Sequence, residues 1–135
     1  MTLATNNLTD EVGTGSPDFP NGMPTSAGDP IVESGSNSDG GWTRWADGTQ
    51  ICRSIAFYID HTEAVGSLYR SATGEAQTWT YPNTFSITPT ATGSSTSTFR
   101  WVTVLPSVSS ANVRLLAGVT GTGGPCDFMT TGRWK

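Results

Sequence analysis

Lysine occurs once in this 135-residue sequence, as Lys135, and histidine once, as His61. Charged residues of all kinds make up 13% of the chain, too few for a salt-bridge-laced helical protein. Cysteine occurs twice, as Cys52 and Cys126, far short of the framework of a small secreted disulfide domain. A reducing compartment of synthesis favours two thiols, one in a strand and one in a loop, over a pair. No apolar run approaches the ~20 residues of a membrane helix, so membrane insertion is not expected. Residues 1–10 carry neither a basic cluster nor an apolar h-region, so no secretory signal is expected. Such a chain is made in a cytoplasm and stays there unless it leaves inside a larger assembly.

The groups that perform chemistry are equally sparse. His61 falls in a stretch, 60–66, that reads as a loop, where a single histidine is expected as a solvated side chain rather than a ligand or base. There is no histidine pair at zinc spacing and no Cys-x-x-Cys. The glycine-rich run 118–125 lacks the Lys-Ser/Thr of a phosphate-binding loop and precedes a strand, so no helix N-terminus is available to hold an anion. Asp47, Asp60, Glu63, Glu75 and Asp127 are the carboxylates after residue 41, and their spacing places no two face to face for glycoside cleavage. The arginines are scattered singly, without the basic run of a nucleic-acid surface. A non-enzymatic protein with no cofactor, no metal and no nucleic-acid partner is the expectation.

What the chain has in quantity is threonine (22), serine (15), glycine (16) and proline (8), with five tryptophans. Threonine suits a pleated, half-buried surface, and glycine, proline and serine suit turns. Asp47-Gly48 lies between two β-rich runs, 42–45 and 49–59, and predicts a two-residue hairpin turn with Trp42 opposite Arg53 and Arg44 opposite Ile51. That register puts Ile51, Arg53, Ile55, Phe57 and Ile59 on one face and brings Arg53 near Trp42 for a cation–π contact. Further strands are expected over 67–71, 75–81, 98–105 (ended by Pro106), 112–118 and 127–134. The segment 85–92 is broken by Pro89, 92–97 reads as a polar turn, and 118–125 as a mobile loop. The predicted fold is all-β: a small antiparallel β-sandwich, jelly-roll-like, with an extended N-terminal arm.

Charge divides the chain near Gly41. Residues 1–41 contain six carboxylates and no lysine or arginine, a charge of -6, whereas 42–135 carry +2. All the tryptophans and tyrosines lie in the second part, and the first has Phe19 as its one aromatic. Residues 1–41 therefore read as an acidic arm, and 42–135 as the β module. Pro and Gly between 15 and 24 exclude a helix. Phe19, Met23, Ile31 and Val32 are spaced apolar anchors along a polar line, as in a strap that orders on a partner; a solvated tail is the alternative. The tract 33–41, rich in Ser and Gly, reads as a flexible linker.

Three places set an aromatic beside a polar or basic group: Tyr69 with Arg70, Trp79 with Tyr81, and Arg100 with Trp101. Aromatic faces with neighbouring donors suit sugar rings, and these six residues are the candidates for host-surface glycan binding. The competing reading is core or inter-subunit packing.

Several pieces occur in the order found in C-terminal modules of phage and prophage tail-fibre-like proteins. Residues 30–52 (PIVESGSNSDGGWTRWADGTQIC) resemble the start of such modules. Trp79-Thr-Tyr-Pro-Asn-Thr-Phe85, with Pro89 after it, resembles an internal segment, and Thr131-Gly-Arg-Trp-Lys135 resembles the terminal strand. The resemblance implies a small β-sandwich, often a homotrimer, displayed on a virion assembled in the bacterial cytoplasm and used for host attachment. It supplies no catalytic residues. With about 40 residues ahead of the module, a short spike, a fibre-tip subunit or a decoration protein is expected rather than a long fibre. The arm would dock on capsid or tail proteins, adding strands to a neighbour. The alternative is a capsid or tail decoration protein that cements the particle without touching the host.

Overall fold

A computed structural model of the chain describes residues 25–26, 29–30, 32–97 and 99–135. Of the expected docking anchors, Phe19, Met23 and Ile31 lie outside these residues. Thirteen strands and no helix form among them: β1 (Thr25–Ser26), β2 (Asp29–Pro30), β3 (Val32–Asn37), β4 (Gly40–Trp45), β5 (Thr49–Ser54), β6 (Phe57–His61), β7 (Glu63–Val65), β8 (Leu68–Arg70), β9 (Gln77–Thr80), β10 (Thr90–Ser95), β11 (Arg100–Pro106), β12 (Ser110–Ala117) and β13 (Gly121–Arg133). Two antiparallel sheets pack face to face, the β-sandwich expected from composition. The first runs β10-β13-β5-β4-β3, with β6 also paired to β13. The second runs β11-β12-β8-β7, with β9 also paired to β12. Among the described residues, β1 and β2 pair only with each other.

The segment expected as a flexible linker is a strand. β3 pairs with β4 from Val32 opposite Trp45 to Asn37 opposite Gly40, so the sheet extends well before Gly41. Its low intrinsic preference is overridden because β4 offers a free edge and the turn is well made. The Asp39 N–H donates to Asn37 Oδ1 at 2.9 Å, and Gly40 adopts φ +139. A Cβ on Gly40 would lie 1.9 Å from the Arg53 carbonyl oxygen, so only glycine fits. Val32, the one described anchor, opens this strand with its side chain exposed.

The Asp47-Gly48 hairpin forms, but its register is one residue from the expected one. Its loop has three residues, with the Gly48 N–H donating to Trp45 O at 3.0 Å and Gly48 at φ +94. Asp47 Oδ1 accepts from the Thr49 N–H at 2.8 Å, which holds its carboxyl below the usual range. A single left-handed glycine after a tight turn is the three-residue alternative to the two-residue turn. Trp42 therefore faces Cys52, and Arg44 faces Gln50. Slipping by one residue exchanges the faces. Gln50 and Cys52 point inward and Arg53 outward; after a break at Ile55-Ala56, Ile59 and His61 point inward. The proposed single face 51–59 is thus two faces, and the cation–π partner of Trp42 is Arg44 (5.2 Å) rather than Arg53.

Three other segments differ from expectation. The supposed loop 60–66 contains the end of β6 and all of β7, and the polar turn 92–97 is largely β10. The glycine run 118–125 enters β13 from Gly121, paired to β6 with a bulge between Gly121 and Gly124. Gly124 is needed there because a Cβ would meet Leu115 Cδ2 at 2.5 Å. Both cysteines lie in strands as buried free thiols.

The core is a chain of rings between the sheets. Phe57 meets Phe128 at 5.4 Å, Phe128 stacks on Trp79 at 6.1 Å, Trp79 meets Tyr81 edge-on at 5.0 Å, and Tyr81 meets Phe85 at 5.3 Å. Ile59, Val113, Leu115, Cys52 and Cys126 fill around them. Trp79 Nε1 donates to Asp39 O at 3.0 Å, tying the β3–β4 turn to the opposite sheet. Gln50 Nε2 donates to the carbonyls of Asn83 (3.1 Å) and Thr84 (3.0 Å), which satisfies a loop that passes over the core.

Candidate functional site

Alternation along β11 and β12 builds the surface of interest. β12 buries Ala111, Val113, Leu115 and Ala117, so Asn112, Arg114 and Leu116 face outward. β11 runs beside it with Trp101 opposite Leu116, Thr103 opposite Arg114 and Leu105 opposite Asn112. On the other side of Leu116 stands Arg70 of β8, and beyond it Glu63 of β7. Trp101, Leu116, Arg70 and Glu63 therefore form one row across the outer face of the second sheet. Trp101 is 55% exposed, with Phe99 (69%) just before the strand and Leu105 (75%) farther along it. Thr103, Val104, Leu105, Asn112 and Arg114 line a shallow cleft of about 480 Å³ beside this row.

The side of β12 away from β11 has a gap in its pairing. β8 pairs with β12 at Leu116–Ala117 and β9 at 110–113, leaving residues 114–115 between them. Buried Ser71 fills that place: its N–H donates to Leu115 O (2.9 Å) and its Oγ accepts from the Leu115 N–H (2.9 Å) while donating to Asp60 O (2.7 Å). The side chain of Ser71 thus substitutes for a missing ladder position and keeps β12 straight.

Of the six glycan candidates, two come together here and four do not. Arg70 and Trp101 share the outer row. Tyr69 and Arg100 share the opposite row through Ala117, because neighbours along a strand point to opposite faces. Arg100 lies against the buried end of the sandwich, with its Cδ 3.5 Å from a Cβ built on Gly124. Trp79 and Tyr81 are core residues, 1% and 3% exposed, and present no face to a ligand. His61, expected in solvent, is fully buried in β6, and its Nε2 has no partner among the described residues. Asn112, Arg114, Thr103 and Leu105 were not singled out from sequence; the alternation of β12 marks them as outward, but only the register brings them beside Trp101.

The face carries one ion pair and two side chains with unengaged donors. Arg70 Nε donates to Glu63 Oε2 at 2.7 Å, which holds the Glu63 carboxyl below and the Arg70 guanidinium above their ordinary ranges. Arg114 and Asn112 make no side-chain hydrogen bond among the described residues, so their donors are free for a ligand. The carboxylates of the module are mostly engaged elsewhere. Glu75 accepts from Thr62 and from the Ala72 N–H, and Asp60 Oδ1 accepts from the Gly123 N–H at 2.7 Å. Among the described residues no group of three or more His, Cys, Asp or Glu side chains is placed to hold a metal ion, and no helix is long and apolar enough to cross a membrane. The arrangement can stack a flat ring on an indole and satisfy hydroxyls from a guanidinium and an amide. No family model, curated protein or solved structure matches the chain.

Proposed function

We propose that this chain is a non-enzymatic structural protein of a bacteriophage particle: a short fibre- or spike-like β module that attaches to host-surface glycan through the outer face of its second sheet. The observation that carries the reading is the half-exposed indole of Trp101 in one row with Leu116 and Arg70, beside the cleft holding the free donors of Arg114 and Asn112. Indole faces and planar guanidinium donors match the apolar faces and hydroxyl rims of sugars. The virion setting rests on the resemblance of residues 30–52, 79–85 and 131–135 to tail-fibre-like modules. In this reading the acidic arm docks on capsid or tail subunits, and the module assembles as a homotrimer.

A glycan array and whole-cell adsorption test the proposal. Trp101→Ala and Arg114→Ala each remove about 1–2 kcal/mol, roughly tenfold or more in affinity, without lowering the melting temperature. Binding that survives both substitutions rules out this face. The alternative, a decoration protein that cements capsid or tail, is favoured by Phe99 and Leu105, whose large exposed apolar surfaces suit a protein neighbour better than a sugar. Particles lacking the protein that adsorb normally but burst on heating support that alternative.

A further inference from the structure

We propose that the outer face of the first sheet is a second binding surface, for an acidic polysaccharide, with Arg53 receiving a sugar carboxylate. The register builds a straight row across five of the six strands of that sheet: Ser36, Gly41, Arg53, Met129 and Thr92. Two clefts, of about 370 and 380 Å³, lie on either side of Arg53, and it lines both. Ser34, Ser36, Gly41 and Thr43 belong to one; Thr92, Ser94, Asp127 and Met129 belong to the other. The Arg53 side chain is exposed and makes no ion pair or hydrogen bond among the described residues.

Gly41 is the second observation. Its φ is outside the left-handed region, and a Cβ there would meet nothing closer than the Gly35 carbonyl oxygen at 3.7 Å. The fold therefore accepts a side chain at Gly41, unlike at Gly40 or Gly48. Its absence leaves the floor open directly beside the guanidinium.

The chemistry of the lining selects the ligand. A guanidinium grips a carboxylate through two parallel hydrogen bonds. The short serine and threonine hydroxyls around it match sugar hydroxyls on both sides, and Met129 supplies an adaptable apolar contact. Asp127, free of partners among the described residues, accepts from hydroxyls but repels a second nearby anion. One cation with one anion beside it fits a polymer whose carboxylates are separated by neutral sugars, not one charged at every residue such as a polyuronate, a polyphosphate or a nucleic acid. The site is on the sheet opposite Trp101, and it stands whether or not that face binds glycan.

Calorimetric titration of the full chain with hyaluronan oligomers (a uronate alternating with a neutral amino sugar), neutral dextran oligomers and inorganic polyphosphate tests it. The hyaluronan oligomers bind, and the two others bind at least tenfold more weakly. Arg53→Ala and Gly41→Leu each weaken hyaluronan binding tenfold or more with melting temperatures close to that of the unsubstituted protein; Arg53→Lys retains part of it, and Trp101→Ala leaves it unchanged. The proposal is overturned if the hyaluronan oligomers do not bind, if dextran or polyphosphate binds as well, or if Arg53→Ala and Gly41→Leu bind normally.

Discussion

The guanidinium of Arg44 lies over the indole of Trp134, 4.4 Å from its ring centre. The same guanidinium contacts Trp42 at 5.2 Å and pairs with Glu33 at 2.6 Å. Trp134 in turn donates from Nε1 to Trp45 O at 2.8 Å and from its backbone N–H to Gly48 O at 3.0 Å. One side chain thus joins β3, β4 and the end of the chain. Because Arg44 and Glu33 are partly exposed, their ion pair alone is worth little. The stacking between two indoles adds to it, so the cluster acts as a unit.

Trp134→Ala and Arg44→Ala should each lower stability by about 1–2 kcal/mol. The double variant should fall short of the sum, because both remove the same contact. Urea denaturation of the three variants checks this; full additivity would show that the stack contributes nothing.

Gly48→Val should cost about 1–3 kcal/mol, since valine resists the left-handed conformation and its Cβ would come within 2.5 Å of Arg133 Nη2. Gly40→Ala should cost more, because the obstacle is backbone, the Arg53 carbonyl, rather than the end of a flexible side chain. The ranking, read from melting temperatures, is the test. The reverse order would place the strain elsewhere.

Removing residues 1–31 should leave a cooperatively folded module that fails to join particles. Removing 1–38 should also lower its stability, because β3 goes with its Glu33 pair and the packing of Gly35 against the Trp42 indole. Circular dichroism melts of both truncations, with particle incorporation of the first, separate the two roles. Wild-type incorporation without residues 1–31 would remove the docking role of the arm.

Burial raises the Cys52 thiol and pushes Cys126 up to about 11 from an ordinary value of 9. Both folded values exceed the unfolded ones, so the contribution to stability is whole below pH 9. It is lost as pH rises from 9 towards 11, where the unfolded chain ionises first. Cys126→Ala should flatten this alkaline decline in a urea-midpoint profile. Neither thiol should react with a thiol reagent until the protein unfolds.

The all-β architecture was legible because threonine, tryptophan and valine alternate between turn residues in most of the segments that became strands. β11, β12 and the close of β13 follow that alternation. What sequence did not reveal depended on partners distant in the chain. The Ser-Gly tract of β3 has no strand preference of its own and is ordered by the edge of β4. The glycines of early β13 look mobile until Leu115 and β6 are packed against them. In the hairpin, a loop of three rather than two residues reversed which side of β5 faced the core. At the candidate site, pairing an aromatic with its sequence neighbour misled, because adjacent strand residues point apart. Trp101 shares its face with Arg70 and not with Arg100, and that juxtaposition requires the register through Leu116.

β13 pairs with β10, β5 and β6, and so occupies the middle of the first sheet although it follows all of them in the chain. During synthesis, β5, β6 and β10 remain without their shared neighbour until Arg133 has left the ribosome. The sheet therefore closes only once β13 has emerged, by contacts of long sequence separation, which makes folding slow. Prematurely terminated chains would expose three unpaired edges and reach the degradation machinery instead of an assembling particle.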